Sequence, residues 1–239
     1  MGVRTGPNVA TPSALPTLLG TTVRRSLVVG RISLAISCFM VVVYSAGFGF
    51  GGPLLISIGA YILPIFAVAG GIGGALVYSN DRLKGVLEYI VAYGLRPQRL
   101  LVNAVVASAV QVSIILALGI GAGVTTYLLS GHPMVPALVV VLLGYTIPMS
   151  FLSAGLMTTV GVYWTSLASP RSGMNSPLGV LPMIGLLPTG AVLILALAAP
   201  RAHAAQLVGA AELVIFIVLM VLWVRNERFM PTERLLSPG

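Results

Sequence analysis

The chain has 239 residues, 57% of them hydrophobic and only 8% charged, with a mean hydropathy of +1.03. A soluble domain cannot cover itself with so few polar side chains, so the composition specifies an integral membrane protein. A lone cysteine, Cys38, excludes a disulfide framework and a thiolate metal site, and the net charge of +8 raises the question of nucleic acid.

At about 20 apolar residues per span, the length accommodates six transmembrane helices and no soluble domain. Residues 1–14, rich in Gly, Pro, Thr and Ser, read as a flexible tail. Residues 15–31 mix apolar patches with Arg24, Arg25 and Arg31, the pattern of an interfacial helix leading into a first span at 32–50. The long basic stretch, with no small-residue cleavage site after the apolar run, argues against a cleaved signal peptide. GFGFGGP then separates the first span from a second at 54–78, which carries Pro64 and the cluster GGIGG at 70–74. Gly70 and Gly74, four residues apart, allow a neighbouring helix to approach closely.

The one charged island follows, NDRLKGVLEYIVAYGLRPQR at 80–99. Helical periodicity places Leu83, Val86, Leu87, Ile90 and Gly94 on one arc, with Tyr89 and Tyr93 beside them and Asp81, Lys84, Gly85, Glu88 and Ala92 opposite. An amphipathic helix over 81–94 measures about 20 Å, too short and too charged to cross a bilayer. It is expected to lie at the membrane surface or dock on a partner. Ser79, Asn80 or Asp81 is placed to cap it, and Gly94 with Pro97 to end it.

A third span runs over 98–129, interrupted by the polar residues Asn103, Ser108, Gln111 and Ser113. The short connection SGHPM leads to a fourth at 135–165, with Pro148 as a kink and Tyr163–Trp164 as an interfacial anchor. Residues 166–177 read as an irregular loop. Fifth and sixth spans follow at 178–199 and 205–224, and residues 225–239 form a polar tail. On this layout Arg201 alone falls on one side of the membrane, and the other twelve of the thirteen basic residues fall on the opposite side. The positive-inside rule makes that side, with both termini and the amphipathic helix, cytoplasmic. The basic excess is thus topological and requires no nucleic acid.

Catalytic motifs are missing. With Lys84 the only lysine, no Gly-x-x-x-x-Gly-Lys-Ser/Thr loop exists, so any ATP-driven work needs another chain to bind the nucleotide. His132 and His203 fall at the far-side loops without nearby carboxylates or cysteines, and neither His-Glu-x-x-His nor Gly-x-Ser-x-Gly occurs. Glu212 is the only acidic residue inside a predicted span; it is either a functional group or an anchor reached by water or Arg201. Gln111, Ser150, Ser153 and Thr158, with Asn103, either line a pathway or make interhelical hydrogen bonds.

The order of residues in the charged island resembles the signature after the second span of ABC-2 type transporter permeases. There a charged pair precedes a Gly-Thr-Leu-Glu core, an apolar turn, a small or proline break and a basic start to the third span. This chain has Asp81-Arg82, then Gly85-Val86-Leu87-Glu88, Tyr89-Ile90-Val91-Ala92 and Gly94-Leu95-Arg96, with Arg99 opening the next helix. Val86 replaces the usual threonine, and Gly94 stands where proline is common. The resemblance implies an all-α, six-span permease subunit in the cell membrane that is not itself an enzyme and pairs with a second or related permease. It implies two ATP-binding subunits at the cytoplasmic face, which would carry the ATP and Mg, and export as the direction of transport. The 81–94 segment would be the coupling helix. Leu83, Leu87 and Ile90, with Tyr89 and Tyr93, would fill a groove of the ATPase, with Asp81, Arg82, Lys84 and Glu88 as the polar rim and Gly85 in the same coupling set. An ion-coupled secondary carrier or channel working without an ATPase is the alternative; it calls for ionisable groups near mid-membrane.

Overall fold

In the computed structural model the described residues are 15–163, apart from 87, 88, 90, 91, 93–96 and 135, together with the helical positions 194, 214, 217, 218 and 221. The predicted tail at 1–14, the loop at 166–177, the bulk of the spans at 178–199 and 205–224 and the tail at 225–239 lie outside them. Among the described residues all regular structure is helical. The chain forms α1 (Leu15–Val29), α2 (Arg31–Phe50), α3 (Gly52–Gly70), α4 (Gly73–Leu83) and α5 (Pro97–Leu129), then α6 (Pro136–Val141), a π-helical turn (Leu142–Thr146) and α7 (Ile147–Tyr163). Among the described residues four stretches are long and apolar enough to cross a membrane: Arg31–Phe50, Gly52–Tyr78, Arg99–Leu129 and Leu138–Thr159.

Helix α2 is turned inside out relative to a helix of a soluble bundle. Helix α2 buries Ser37, Val41, Ser45 and Gly49, one residue per turn and three of the four small or polar. Its large side chains Ile32, Ile36, Phe39, Val43 and Phe50 are exposed, as lipid contact requires. Because lipid tails are as apolar as leucine, burying leucines between helices gains little in a bilayer, and close packing and hydrogen bonds decide the contact. The small face of α2 therefore lies along α5, where Gly119 meets Val41 and Gly123 meets Ser45. A larger apolar cluster of Val41, Leu63, Ala67, Val112, Ile115, Leu116 and Ala154 joins α2, α3, α5 and α7. Towards the Phe50 end, Ser45, Ile56, Gly59, Gly123, Leu138 and Leu142 are among the residues lining a small, mainly apolar cavity of about 20 Å³, roughly room for one water. At that end the buried Tyr127 closes the α5–α6 connection, its hydroxyl donating to the Pro133 carbonyl at 3.2 Å and its ring lying 5.1 Å from that of His132.

The second span reads as one helix in the sequence; in the structure it loses one helical bond at Pro64 and divides at Gly71–Ile72. Pro64 has no N–H for the carbonyl of residue 60, and that carbonyl instead accepts from Thr146 Oγ1 at 3.0 Å. Thr146 ends the π turn, whose wider winding is closed by the Ile147 N–H bonding the Leu142 carbonyl. The kink expected at Pro148 is thus taken up in the turn before it, where a π-helical coil gives the proline ring room. The second interruption is at Gly71–Ile72, inside GGIGG. Here the Gly73 N–H donates to Gln111 Oε1 at 2.9 Å, and the carbonyl of Ala69, four residues earlier, accepts from Ser33 Oγ at 2.8 Å. The glycines make this possible: a Cβ at Gly74 would collide with the Ala104 carbonyl, and one at Gly70 with Ile115 and Ser37.

The start of the charged island also differs from expectation. Asn80 and Asp81 were placed at a helix N-cap, yet α4 runs through both and ends only at Leu83. The Lys84 N–H bonds the Asn80 carbonyl at 3.1 Å, and Gly85 then takes φ +68°. A left-handed residue costs glycine nothing, so the chain turns there instead of at the polar cluster, which suits the last turns of a helix as well as a cap.

Candidate functional site

The segment singled out by sequence begins at the end of α4, beyond the Arg31 end of α2. Asp81 is only 6% exposed, and Arg25 of α1 grips it from both sides. Arg25 Nη1 donates to Asp81 Oδ2 at 2.9 Å and Nη2 to Oδ1. This fork-on-carboxylate geometry fixes direction as well as distance. Arg25 itself is 45% exposed, so solvent screens the pair and its net worth is modest. Asp81 was assigned to the open rim of a docking helix; its carboxylate is instead turned inward to hold α1 against α4. The cause is electrostatic, since a carboxylate this buried needs a cation beside it.

Past Gly85 the described residues Val86, Tyr89 and Ala92 are helical. Lys84 and Ala92 are exposed, and Tyr89 is 70% exposed with its large ring open. The side chains of Arg82, Leu83, Leu87, Glu88 and Ile90 lie outside the described residues, as do Tyr93 and Gly94. The visible part of the site is therefore a left-handed turn at Gly85 followed by a helical segment carrying an exposed aromatic.

The residues assigned to a possible pathway lie elsewhere. Gln111, Ser150, Ser153 and Thr158 are fully buried. Gln111 bridges two elements: besides accepting from Gly73, its Nε2 donates to the Ser26 carbonyl of α1 at 3.0 Å. Thr158 donates to its own helix at Ala154, 2.8 Å away, so Ser108 supplies the proton for the 2.9 Å bond joining α5 to α7. Ser150 bonds back to the Thr146 carbonyl at 2.6 Å. Interhelical bonding thus accounts for Gln111 and Thr158 and helical back-bonding for Ser150, in a packed interior. Glu212 lies outside the described residues.

Sequence reasoning passed over Ser26, Ser33, Arg25 and Thr146. The signal for Thr146 was available, because Pro64 leaves an acceptor at residue 60 that some donor must reach. The opposite charges of Arg25 and Asp81 were equally visible, whereas nothing in the local pattern foretold that Gly71–Ile72 would open the helix. No family model, no curated protein and no solved structure matches the chain. The structure is that of a multi-pass helical membrane protein, with four helices long and apolar enough to cross a bilayer among the described residues.

Proposed function

We propose that the chain is the membrane-spanning permease subunit of an ATP-binding cassette transporter, an exporter of six spans with both termini in the cytoplasm of a cell membrane. The observation that carries this reading is the order Asp81-Arg82-x-x-Gly85-Val86-Leu87-Glu88 after the second span. Its support from geometry is the turn at Gly85, which leads out of α4 into a helical segment bearing the exposed Tyr89. An aromatic held open at the end of a helix pair suits a groove on a second protein. The partner is an ATP-binding subunit in two copies, with ATP and Mg bound there, and a second permease copy or a relative completes the pathway. Closure of the ATPase pair would then move the 85–94 segment and, through it, α4 and α5.

The test is to isolate the tagged full chain from its native membrane and identify what accompanies it. A stoichiometric chain with a Walker-type loop is expected. In that complex Leu87→Ala, Glu88→Ala and Tyr89→Ala should lower transport-coupled ATPase activity while leaving insertion intact. Purified chain that transports in liposomes on an ion gradient without ATP would overturn the reading in favour of a secondary carrier. No described residue favours that carrier, since Asp81, the one buried acid among them, is already paired with Arg25.

A further inference from the structure

Two chain connections meet at one level of the bundle. Gly30, with φ −86° and ψ 7°, joins α1 to α2, and Gly71–Ile72 joins α3 to α4. They lie side by side, for a Cβ at Gly30 would come 3.1 Å from the Gly73 Cα and 3.0 Å from Gln111 Nε2. Helix α5 passes the same level unbroken, and its Gln111 reaches both connections, accepting from the Gly73 N–H and donating to the Ser26 carbonyl. Beyond that level α1 and α4 pack on each other and are clamped by Arg25 on Asp81.

We propose that α1 and α4 form one lever, hinged at Gly71–Ile72, flexing at Gly30 where the helical bonds to Ser26 and from Leu34 carry through, and latched to the continuous helix α5 by the amide of Gln111. The pieces fit that role in distinct ways. A helix resists bending because each turn is bonded to the next, and at Gly71–Ile72 bonding groups from both sides are already held by side chains of other helices. Ser33 keeps the Ala69 carbonyl satisfied whatever α4 does, since both belong to the α2–α3 side. Gln111 holds both arms at once, so its bonds must break for the lever to swing, along with the close packing of α4 on α5 at Gly74. Arg25–Asp81 lies wholly within the lever, so it keeps the arms together without opposing the motion. The inference does not depend on an ATPase partner, although a docked partner at the 85–94 segment would load this lever at its tip.

The experiment uses the full chain in lipid nanodiscs, with Cys38→Ser to clear the background. Spin labels go at exposed positions, Gly20→Cys with Lys84→Cys inside the lever and Lys84→Cys with Gly121→Cys between lever and body. Gly20 and Gly121 have open space where a side chain would go. Introducing Gln111→Leu should broaden or shift the Lys84–Gly121 distance distribution and leave Gly20–Lys84 unchanged. It should also raise hydrogen exchange at the Gly73 amide about 5-fold, as loss of one net hydrogen bond allows. An unchanged Lys84–Gly121 distribution overturns the latch. Equal broadening of both pairs overturns the rigid lever, because α1 or α4 would then be melting. Should Gln111→Leu not insert, the parent chain decides: amides at 72–75 exchanging no faster than those at 107–112 on α5 would remove the hinge.

Discussion

The two interruptions of the second span solve one problem by different means. At Pro64 the missing donor is a covalent fact, a single carbonyl is left over, and one hydroxyl, that of Thr146, meets it. At Gly71–Ile72 no atom is missing; a donor and an acceptor both turn to other helices, to Gln111 and Ser33. The first arrangement is a repair that leaves the helix running on. The second divides it, and it depends on glycines that let α5 come within backbone contact. An interruption imposed by one residue's chemistry is local, whereas one built from absent side chains draws on three helices.

Mutations separate the two cases most sharply through bulk. Gly74→Leu drives a side chain into the Ala104 carbonyl and should destabilise the fold by about 3 kcal/mol, while Gly121→Leu, into open space, should cost under about 0.5 kcal/mol. Reversible unfolding in mixed micelles measures both, and comparable losses would show that the close approach of α4 to α5 is not what the fold relies on. Next in size is Gln111→Leu, which leaves the Gly73 N–H unmet and deprives the Ser26 carbonyl of one donor, for about 2 kcal/mol in the same assay. Thr146→Val keeps the shape and removes the repair, for about 1 kcal/mol. Adding Pro64→Ala should recover part of that loss, since the new N–H can return to the carbonyl of residue 60. A double-mutant cycle with no coupling would disprove the repair. Ser33→Ala is the smallest, about 0.6 kcal/mol.

Much of the architecture was legible because the forces behind it are local in sequence. The ends of the helices at Phe50 and Leu129 and the close approach at Gly70 and Gly74 follow from apolar run length and small-residue spacing. What stayed hidden depends on which helix lies next to which. Gln111 reads as a polar interruption until Gly73 and Ser26 are brought beside it. Asp81 reads as a rim residue until α1 carries Arg25 across from 56 positions away. The boundary between α4 and the next helical segment was misplaced because Ser-Asn-Asp is a strong cap pattern, and only the backbone reveals that Gly85 takes the turn. Of the candidate docking residues, Asp81, Lys84, Gly85 and Tyr89 can be described; Asp81 is buried, and Lys84 and Tyr89 are exposed.

The length of α3 has a consequence for the lipid. Its 19 residues, Gly52–Gly70, measure about 28 Å, and the 20 residues of α2 about 30 Å, close to the hydrocarbon thickness of an ordinary bilayer. With the Gly52 end of α3 set at one face of the hydrocarbon, the Gly71–Ile72 opening would fall close to the other face, within an apolar stretch that continues to Tyr78. There a released amide can be met by water; a few ångströms deeper it cannot. Hydrophobic mismatch thus sets how easily the helix opens. Longer acyl chains should slow exchange at the Gly73 amide and shorter ones speed it, which nanodiscs of graded lipid length would show. On that placement the thickness of the membrane would itself set how easily the helix divides.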